Sequence, residues 1–281
     1  MDGYAVLFDI GNTNIKVGLC RGESLAVSYV LPSDERQTGD SLGLTLLDII
    51  RHHGLSPQAV EDCIGSSVAP PVCAQVRAAC ERYLGRPLLL TPEDMPIPLE
   101  NRYPLKHEVG ADRLVGAFAA RRLFPEAASL ISVDFGTATT FDCVQGNAYL
   151  GGLIGPGVLS SASALAARTA KLPRISLEVE SSELKPACST VTSLNHGFVF
   201  GFAAMAEGLT ARLRRCLPEP VLVVGTGGLV RTLAKVTDCF DVVRPDLLLD
   251  GLLLLLAERK KAASPGTTNW RQTDLPQRSG L

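Results

Sequence analysis

Val6-Leu7-Phe8-Asp9-Ile10-Gly11-Asn12-Thr13-Asn14-Ile15-Lys16 is an apolar, β-type run that stops at an acid and turns through glycine. The Asp9 carboxylate is expected at a strand end, where it can hold a metal, and Gly11 lets backbone N–H groups approach an anion. Asn12 and Thr13 add donors, and Lys16 adds a positive charge suited to phosphate oxygens. An ordinary hairpin would read much the same, because Asn and Gly favour turns and Ile15, Val17 and Leu19 resume strand alternation. Taken alone, the stretch supports both readings.

A second copy favours the first. Leu130-Ile131-Ser132-Val133-Asp134-Phe135-Gly136-Thr137-Ala138-Thr139-Thr140 repeats the plan of β-run, acid, apolar residue, glycine and hydroxyl-rich turn, with its acid 125 residues after Asp9. Two such turns half a chain apart suggest two similar domains whose strand ends face one cleft, with a nucleotide held between them.

The length of 281 residues accommodates two domains of ordinary size. Charged residues make up 20% and the formal net charge is −2, so there is no basic field of the kind nucleic acid or an acidic membrane surface selects. The expected partner is a small molecule, with no nucleic acid and no membrane. Eight cysteines are scattered without a CxxC pair, and the four histidines show no ligand spacing with them. No signal peptide or spanning segment is evident, so the expected compartment is the cytoplasm, with reduced and mostly packed thiols.

Along the chain, 15–19 and 24–31 read as strands of a meander. Residues 41–53 read as a helix, with Asp40 and Ser41 as cap candidates and Gly54 as its stop. Residues 63–68 read as a strand ending at Ser66 and Ser67, followed by a helix opening at Pro70 and Pro71. A short strand at 88–90 leads into a proline-rich crossing loop, 91–106. Val109-Gly110-Ala111-Asp112-Arg113 opens an Ala-rich helix. Its acid and arginine suit either capping with a surface ion pair, or a proton acceptor beside a guanidinium that grips a substrate carboxylate.

Gly151-Gly152-Leu153-Ile154-Gly155-Pro156-Gly157 reads as backbone that passes close to something or takes positive φ. Helices are expected at 158–170 and 190–217, separated by a polar loop at 178–189. Gly197 and Gly201 on the second helix suit close helix contact, including with a second subunit. Val221 to Gly228 reads as a buried strand entering a GTGG turn and a helix from Leu229, a place for a nucleoside or phosphate. Residues 247–260 read as a last helix and 262–281 as a disordered tail.

Together these pieces resemble the type III pantothenate kinases, within the actin, heat-shock chaperone and sugar-kinase superfamily. The resemblance rests on DIGNTNIK at 9–16, VGADR at 109–113, VDFGTATTFD at 133–142, GGLIGPG at 151–157, TAKLP at 169–173 and GTGG at 225–228, in the family's order. It implies an α/β chain of two similar actin-like (ribonuclease H-like) domains, with mixed β-sheets flanked by helices and the active site in the cleft between them. The expected division is 1–114, 115–261 and the tail.

The implied activity is transfer of phosphate from ATP to the primary hydroxyl of pantothenate, in a homodimer using Mg2+ or a similar divalent cation and K+ or NH4+. Carried over by position, Asp9, Ile10, Gly11, Asn12, Thr13, Asn14, Ile15 and Lys16 form the first phosphate loop, with Asp9 nearest the metal. Asp112 is the base, lined by Gly110, Ala111 and Arg113. Asp134 is the monovalent-cation ligand, Thr137 the second phosphate contact, and Tyr103 and Thr190 touch pantothenate.

Two positions depart from the family pattern. Ala187-Cys188-Ser189 replaces the usual Gly-Lys/Arg-Asn before Thr190, and Lys106 stands where proline is usual, with Pro104 nearby. Two alternatives fit the same strings: a non-catalytic regulator that binds such ligands, and a kinase for another small hydroxy compound. Asp9, Asp112 and Asp134 beside Lys16 favour catalysis, since carboxylates in a cleft repel phosphate unless a cation intervenes.

Overall fold

The opening run forms β1 (Tyr4–Ile10), which turns into β2 (Asn14–Arg21) and then β3 (Ser24–Pro32) as an antiparallel meander. In this computed structural model, residues 3–169 and 171–263 are described. After α1 (Gly39–His52), β4 (Val60–Ser67) returns parallel to β1, and α2 (Pro70–Ala79) leads to β5 (Leu88–Thr91). The sheet order is β3-β2-β1-β4-β5. Alternation along β1 fixes what each face meets. Val6, Phe8 and Ile10 pack with Leu42, Leu46 and Ile50 of α1 and with Val72 and Val76 of α2, whereas Ala5 and Leu7 pack on the opposite face.

The N-cap of α1 is Thr38 and not the expected Asp40 or Ser41; its side chain accepts from the Ser41 N–H at 3.2 Å. Asp40 lies inside the first turn and pairs instead with Arg82. Thr38→Ala is expected to cost about 1 kcal/mol, read as a fall of about 2–4 °C in the thermal midpoint. An unchanged midpoint would show that the cap contributes nothing.

The second half contains β6 (Glu100–Asn101), α3 (Ala111–Leu123), β7 (Ser129–Phe135), β8 (Ala138–Gln145), β9 (Ala148–Pro156), α4 (Val158–Ala167), α5 (Thr190–Arg214), β10 (Val221–Thr226), α6 (Val230–Leu233), β11 (Val242–Val243) and α7 (Leu247–Ala263). Its sheet runs β11-β10-β7-β8-β9-β6. From β9 to β11 this is the same succession of antiparallel and parallel neighbours as from β3 to β5. Two similar mixed sheets flanked by helices make the fold actin-like, as the resemblance implied.

Four local readings change. The glycine-rich run 151–157 is largely strand, since β9 extends through Pro156; Gly151 takes φ +117°, and a Cβ on Gly152 would collide with the Phe141 carbonyl of the neighbouring strand. The close approach there is to the protein's own backbone. The helix after the GTGG turn is a single turn, α6, because Leu233 already closes it against the core. In the proline-rich crossing loop, Glu100 and Asn101 pair with the edge of β9. Finally α7 carries residues 262 and 263, so of the expected tail only 264–281 remain, and these lie outside the described residues, as does Ala170 in the helix expected at 158–170.

The layer between the sheets matters most for function. Leu252, Leu253, Leu255 and Leu256 of α7 pack with Val115 and Phe118 of α3 beneath Leu7 and Ile64 of the first sheet, while Ala117 and Ala119 of α3 and Leu247 of α7 pack beneath Leu130 and Val144 of the second. A helix buried on both sides must be apolar all round, which explains the leucine run of α7. Burying one such side chain contributes about 1.5–3 kcal/mol, so this layer is the main tie between the two halves.

Candidate active site

Side-chain alternation carries each strand-end acid towards the central layer. Leu7 faces α3 and α7, so Asp9, two residues on, leaves the sheet on that side; Leu130 does the same in the second sheet, and so therefore does Asp134. Strand register completes a polar row on each sheet. Lys16, Asp9, Ser66 and Thr91 stand side by side on the first, and Thr140, Asp134 and Thr226 on the second. Ser66 is fully buried and its Oγ has no hydrogen-bond partner.

Each turn is closed by its glycine N–H, Gly11 to the Asn14 C=O at 3.0 Å and, in the turn one residue shorter, Gly136 to the Ala138 C=O at 3.1 Å. Ile10 and Ile15 are buried and anchor the first turn, leaving Asn12, Thr13 and Asn14 exposed at its tip. Thr137, at the tip of the second, donates its hydroxyl to Thr13 Oγ1 at 2.9 Å. The repeated turns thus meet across one cleft. Both sequence readings hold at once, since the first turn is a β-hairpin and its acid points into that cleft.

Asp112 enters from the central layer, in the first turn of α3. The N-cap there is Gly110, without a side-chain cap, and the Arg113 N–H donates to Asp112 Oδ1 at 2.8 Å. A Cβ on Gly110 would overlap that same oxygen, so a larger residue here would push the Asp112 carboxylate aside. Neither capping nor a surface ion pair describes Asp112 and Arg113.

The acids feel one another. Burial pushes the Asp9 carboxyl from 3.8 up to about 7, helped by the Asp134 charge, opposed by Lys16 and helped by Asp112. Burial likewise raises Asp134 to about 6, opposed by Lys16 and helped by Asp112 and Asp142. Asp112 is also raised, by burial, against the Arg113 N–H and charge. Asp9, Asp112, Asp134 and Lys16 therefore share one electrostatic site. Lys16 Nζ meanwhile donates to the Pro245 carbonyl at 3.0 Å and lies 3.2 Å from Asp246 Oδ1, ahead of α7. Gly227, at φ +90°, lies against Asp134, where a Cβ would collide with the carboxylate. The GTGG turn is thus a wall of the cleft.

Of the residues expected to touch the acceptor, Arg113 is held by Asp142 and Tyr103 lies against Gly151, within reach of the same layer. Thr190 is different. It is exposed, opens α5 after the Ser189 cap, and borders an open depression with Leu172, Ala187, Cys188, Ser193 and Leu194. Among the described residues no hydrogen bond or ion pair joins it to the acids.

The family model described as type III pantothenate kinase matches residues 5–212. The chain belongs to the type III pantothenate kinase family. The type III pantothenate kinase of Nitratidesulfovibrio vulgaris (strain DP4) is 63% identical over 261 residues, covering 93% of this chain and 100% of the relative. That of Desulfovibrio desulfuricans is 52% identical over 262 residues, with coverage of 93% and 100%. Among solved structures, the activator of 2-hydroxyisocaproyl-CoA dehydratase from Clostridium difficile with bound ADPNP has a TM-score of 0.50 at 16% identity, covering 96% of this chain and 100% of that one. At that identity the likeness shows the fold alone.

In this member of the type III pantothenate kinase family, sequence reasoning gave no individual role to Asp142 or Asp246. Asp142 left a signal, an acid inside the apolar run Phe141-Asp142-Cys143-Val144, where a charge needs a partner. Asp246 left none, because its partner Lys16 is distant in sequence and only folding joins them.

Proposed function

We propose that the chain transfers the terminal phosphoryl group of ATP to the primary hydroxyl of pantothenate, the first step towards coenzyme A. The observation that carries this is the convergence of Asp9, Asp112 and Asp134 on one cleft where Thr13 meets Thr137. Phosphoryl transfer requires mainly placement and charge neutralisation. Residues Asp9 to Lys16 and Thr137 hold the phosphates, with donors on the two turns. Asp112 takes the proton of the acceptor hydroxyl, and burial raises its proton affinity, the direction a general base needs. Gly110, Ala111, Arg113 and Tyr103 shape the acceptor side.

The residues present fit a divalent cation. Asp9 and Asp134 carry charge that burial disfavours, which a cation relieves. The described residues contain no cluster of three or more His, Cys, Asp or Glu able to hold an ion. A magnesium-like ion would keep waters and phosphate oxygens among its ligands. Asp9 would hold it, and the ion would supply neutralisation of the phosphate charge. Asp134 is assigned to the monovalent cation, K+ or NH4+.

Coupled ADP release from the full chain with ATP, magnesium and potassium tests the function. Turnover that depends on pantothenate is expected; folded protein that releases no ADP in response to it ends this reading.

The enzyme is assigned as a homodimer in the cytoplasm. Among the described residues no helix is long and apolar enough to cross a membrane. On α5 the residues Gly197, Gly201 and Gly208 have open space beside them, and Leu159 and Leu165 of α4 are exposed. A partner subunit on this face would bring a second surface close to Thr190. Gly201→Arg leaves the protomer unstrained, since a side chain there meets nothing within 4 Å, and is expected to yield monomers in sedimentation. A wild-type chain that sediments as a monomer overturns the dimer. The division at residue 114 also stays a proposal, and it falls within α3.

A further inference from the structure

Arg113 and Asp142 form an ion pair whose side chains are only 11% and 5% exposed. Arg113 Nε donates to Asp142 Oδ1 at 2.8 Å, and Nη2 lies 2.7 Å from the same oxygen. The carboxylate is itself fixed. The Tyr149 hydroxyl donates to Oδ1 at 2.9 Å and the Thr140 hydroxyl to Oδ2 at 3.2 Å. Despite that approach, Arg113 Nη2 is buried and makes no hydrogen bond, so Nε carries the only one from this guanidinium to a described residue.

Stability gives this arrangement little reason to exist. Two charges withdrawn from water lose hydration that their attraction barely returns, and an apolar pair of similar volume holds such an interface equally well. What apolar residues cannot do is present a guanidinium in one orientation. Asp142 lies on the face of β8 turned to the central layer, so it grips Arg113 through Nε and holds the guanidinium where it also feels the Asp112 charge.

We infer that Asp142 is a positioning residue for the acceptor site: it neutralises Arg113, anchors it through Nε, and thereby presents a terminal guanidinium nitrogen to a polar oxygen of the acceptor. Tyr149 and Thr140 hold Asp142 for that task. This deepens the proposed function and rests on its placement of Arg113 in the pantothenate pocket. A guanidinium whose charge is already paired acts as an oriented donor more than as a free cation, which suits a neutral or singly charged acceptor.

A double-mutant cycle on the full chain tests this, using Asp142→Asn, Arg113→Met and the two combined, with thermal midpoints as the control for folding. Asp142→Asn is expected to raise the pantothenate KM about tenfold, with kcat and the ATP KM within about twofold, and to add nothing once Arg113 is Met. A rise that persists in the Arg113→Met background, or a loss spread over kcat and both KM values, makes Asp142 merely structural and overturns the inference. If Arg113→Met leaves the pantothenate KM unchanged, the pocket assignment itself fails and the inference falls with it. Should Asp142→Asn not fold, Tyr149→Phe replaces it in the cycle. It removes one hydrogen bond to the carboxylate, and a rise of about threefold confined to the Arg113 background is expected.

Discussion

Asp112→Asn is expected to fold as the wild type does and to lose about 10²–10⁴-fold of kcat, the usual contribution of a positioned base. The side chains are nearly the same size, and the amide oxygen can still accept from the Arg113 N–H, so the turn at Gly110 should stay intact. What disappears is the capacity to take the acceptor proton. Burial already disfavours the Asp112 charge, so the thermal midpoint should hold or rise. The pantothenate KM should change little, because Asn keeps the hydrogen bond to the hydroxyl. Near-wild-type turnover in a folded Asp112→Asn protein would remove Asp112 from the chemistry.

Removing the Asp9 charge should stabilise the protein while abolishing activity. With its folded pKa raised from 3.8 to about 7, this group binds a proton more tightly in the folded state than in the unfolded chain. Below about pH 4 both states are protonated and the group is neutral with respect to folding. As pH rises from about 4 to about 7 the unfolded chain ionises first, and stability falls; above about 7 the loss is complete. Each tenfold difference in proton affinity between the two states corresponds to about 1.4 kcal/mol, and solvent at the half-buried carboxylate screens part of this, leaving on the order of 2 kcal/mol. Asp9→Asn should therefore raise the thermal midpoint more at pH 8 than at pH 5, by about 4–8 °C at the higher pH.

Magnesium, read on the wild type without nucleotide, should show the same sign. It raises the midpoint at pH 8 and less at pH 5, where it must displace a proton. Equal shifts at both pH values, or a destabilised Asp9→Asn, would show that Asp9 is not held under electrostatic tension.

Much of this site was legible before any coordinates. The strand, acid and glycine turn around Asp9 and its echo at Asp134 are local patterns, set by β-type residues and by turn residues that work over a few positions. The helix opening at Asp112 follows from the same kind of signal. Other features were not legible, for specific reasons. Glycines at 151 and 152 look alike whether a ligand or a neighbouring strand approaches them, and the Phe141 carbonyl turned out to be what Gly152 admits. Asp40 and Ser41 resemble caps as well as Thr38 does, and only backbone geometry chose among them. The partners of Lys16 and Arg113 lie far along the chain, at Asp246 and Asp142.

The amino-acid sequence alone determined that two acid-bearing turns exist, that each acid ends a strand, and which side of its sheet each acid shares with its apolar neighbours. Those properties follow from alternation and turn chemistry, which act within a single hairpin. Tertiary structure decided that the two sides face each other. Only the packing of α3 and α7 between the sheets brings Asp9, Asp112 and Asp134 within electrostatic reach, and that packing depends on buried leucines and alanines whose pairing across the chain no local pattern specifies.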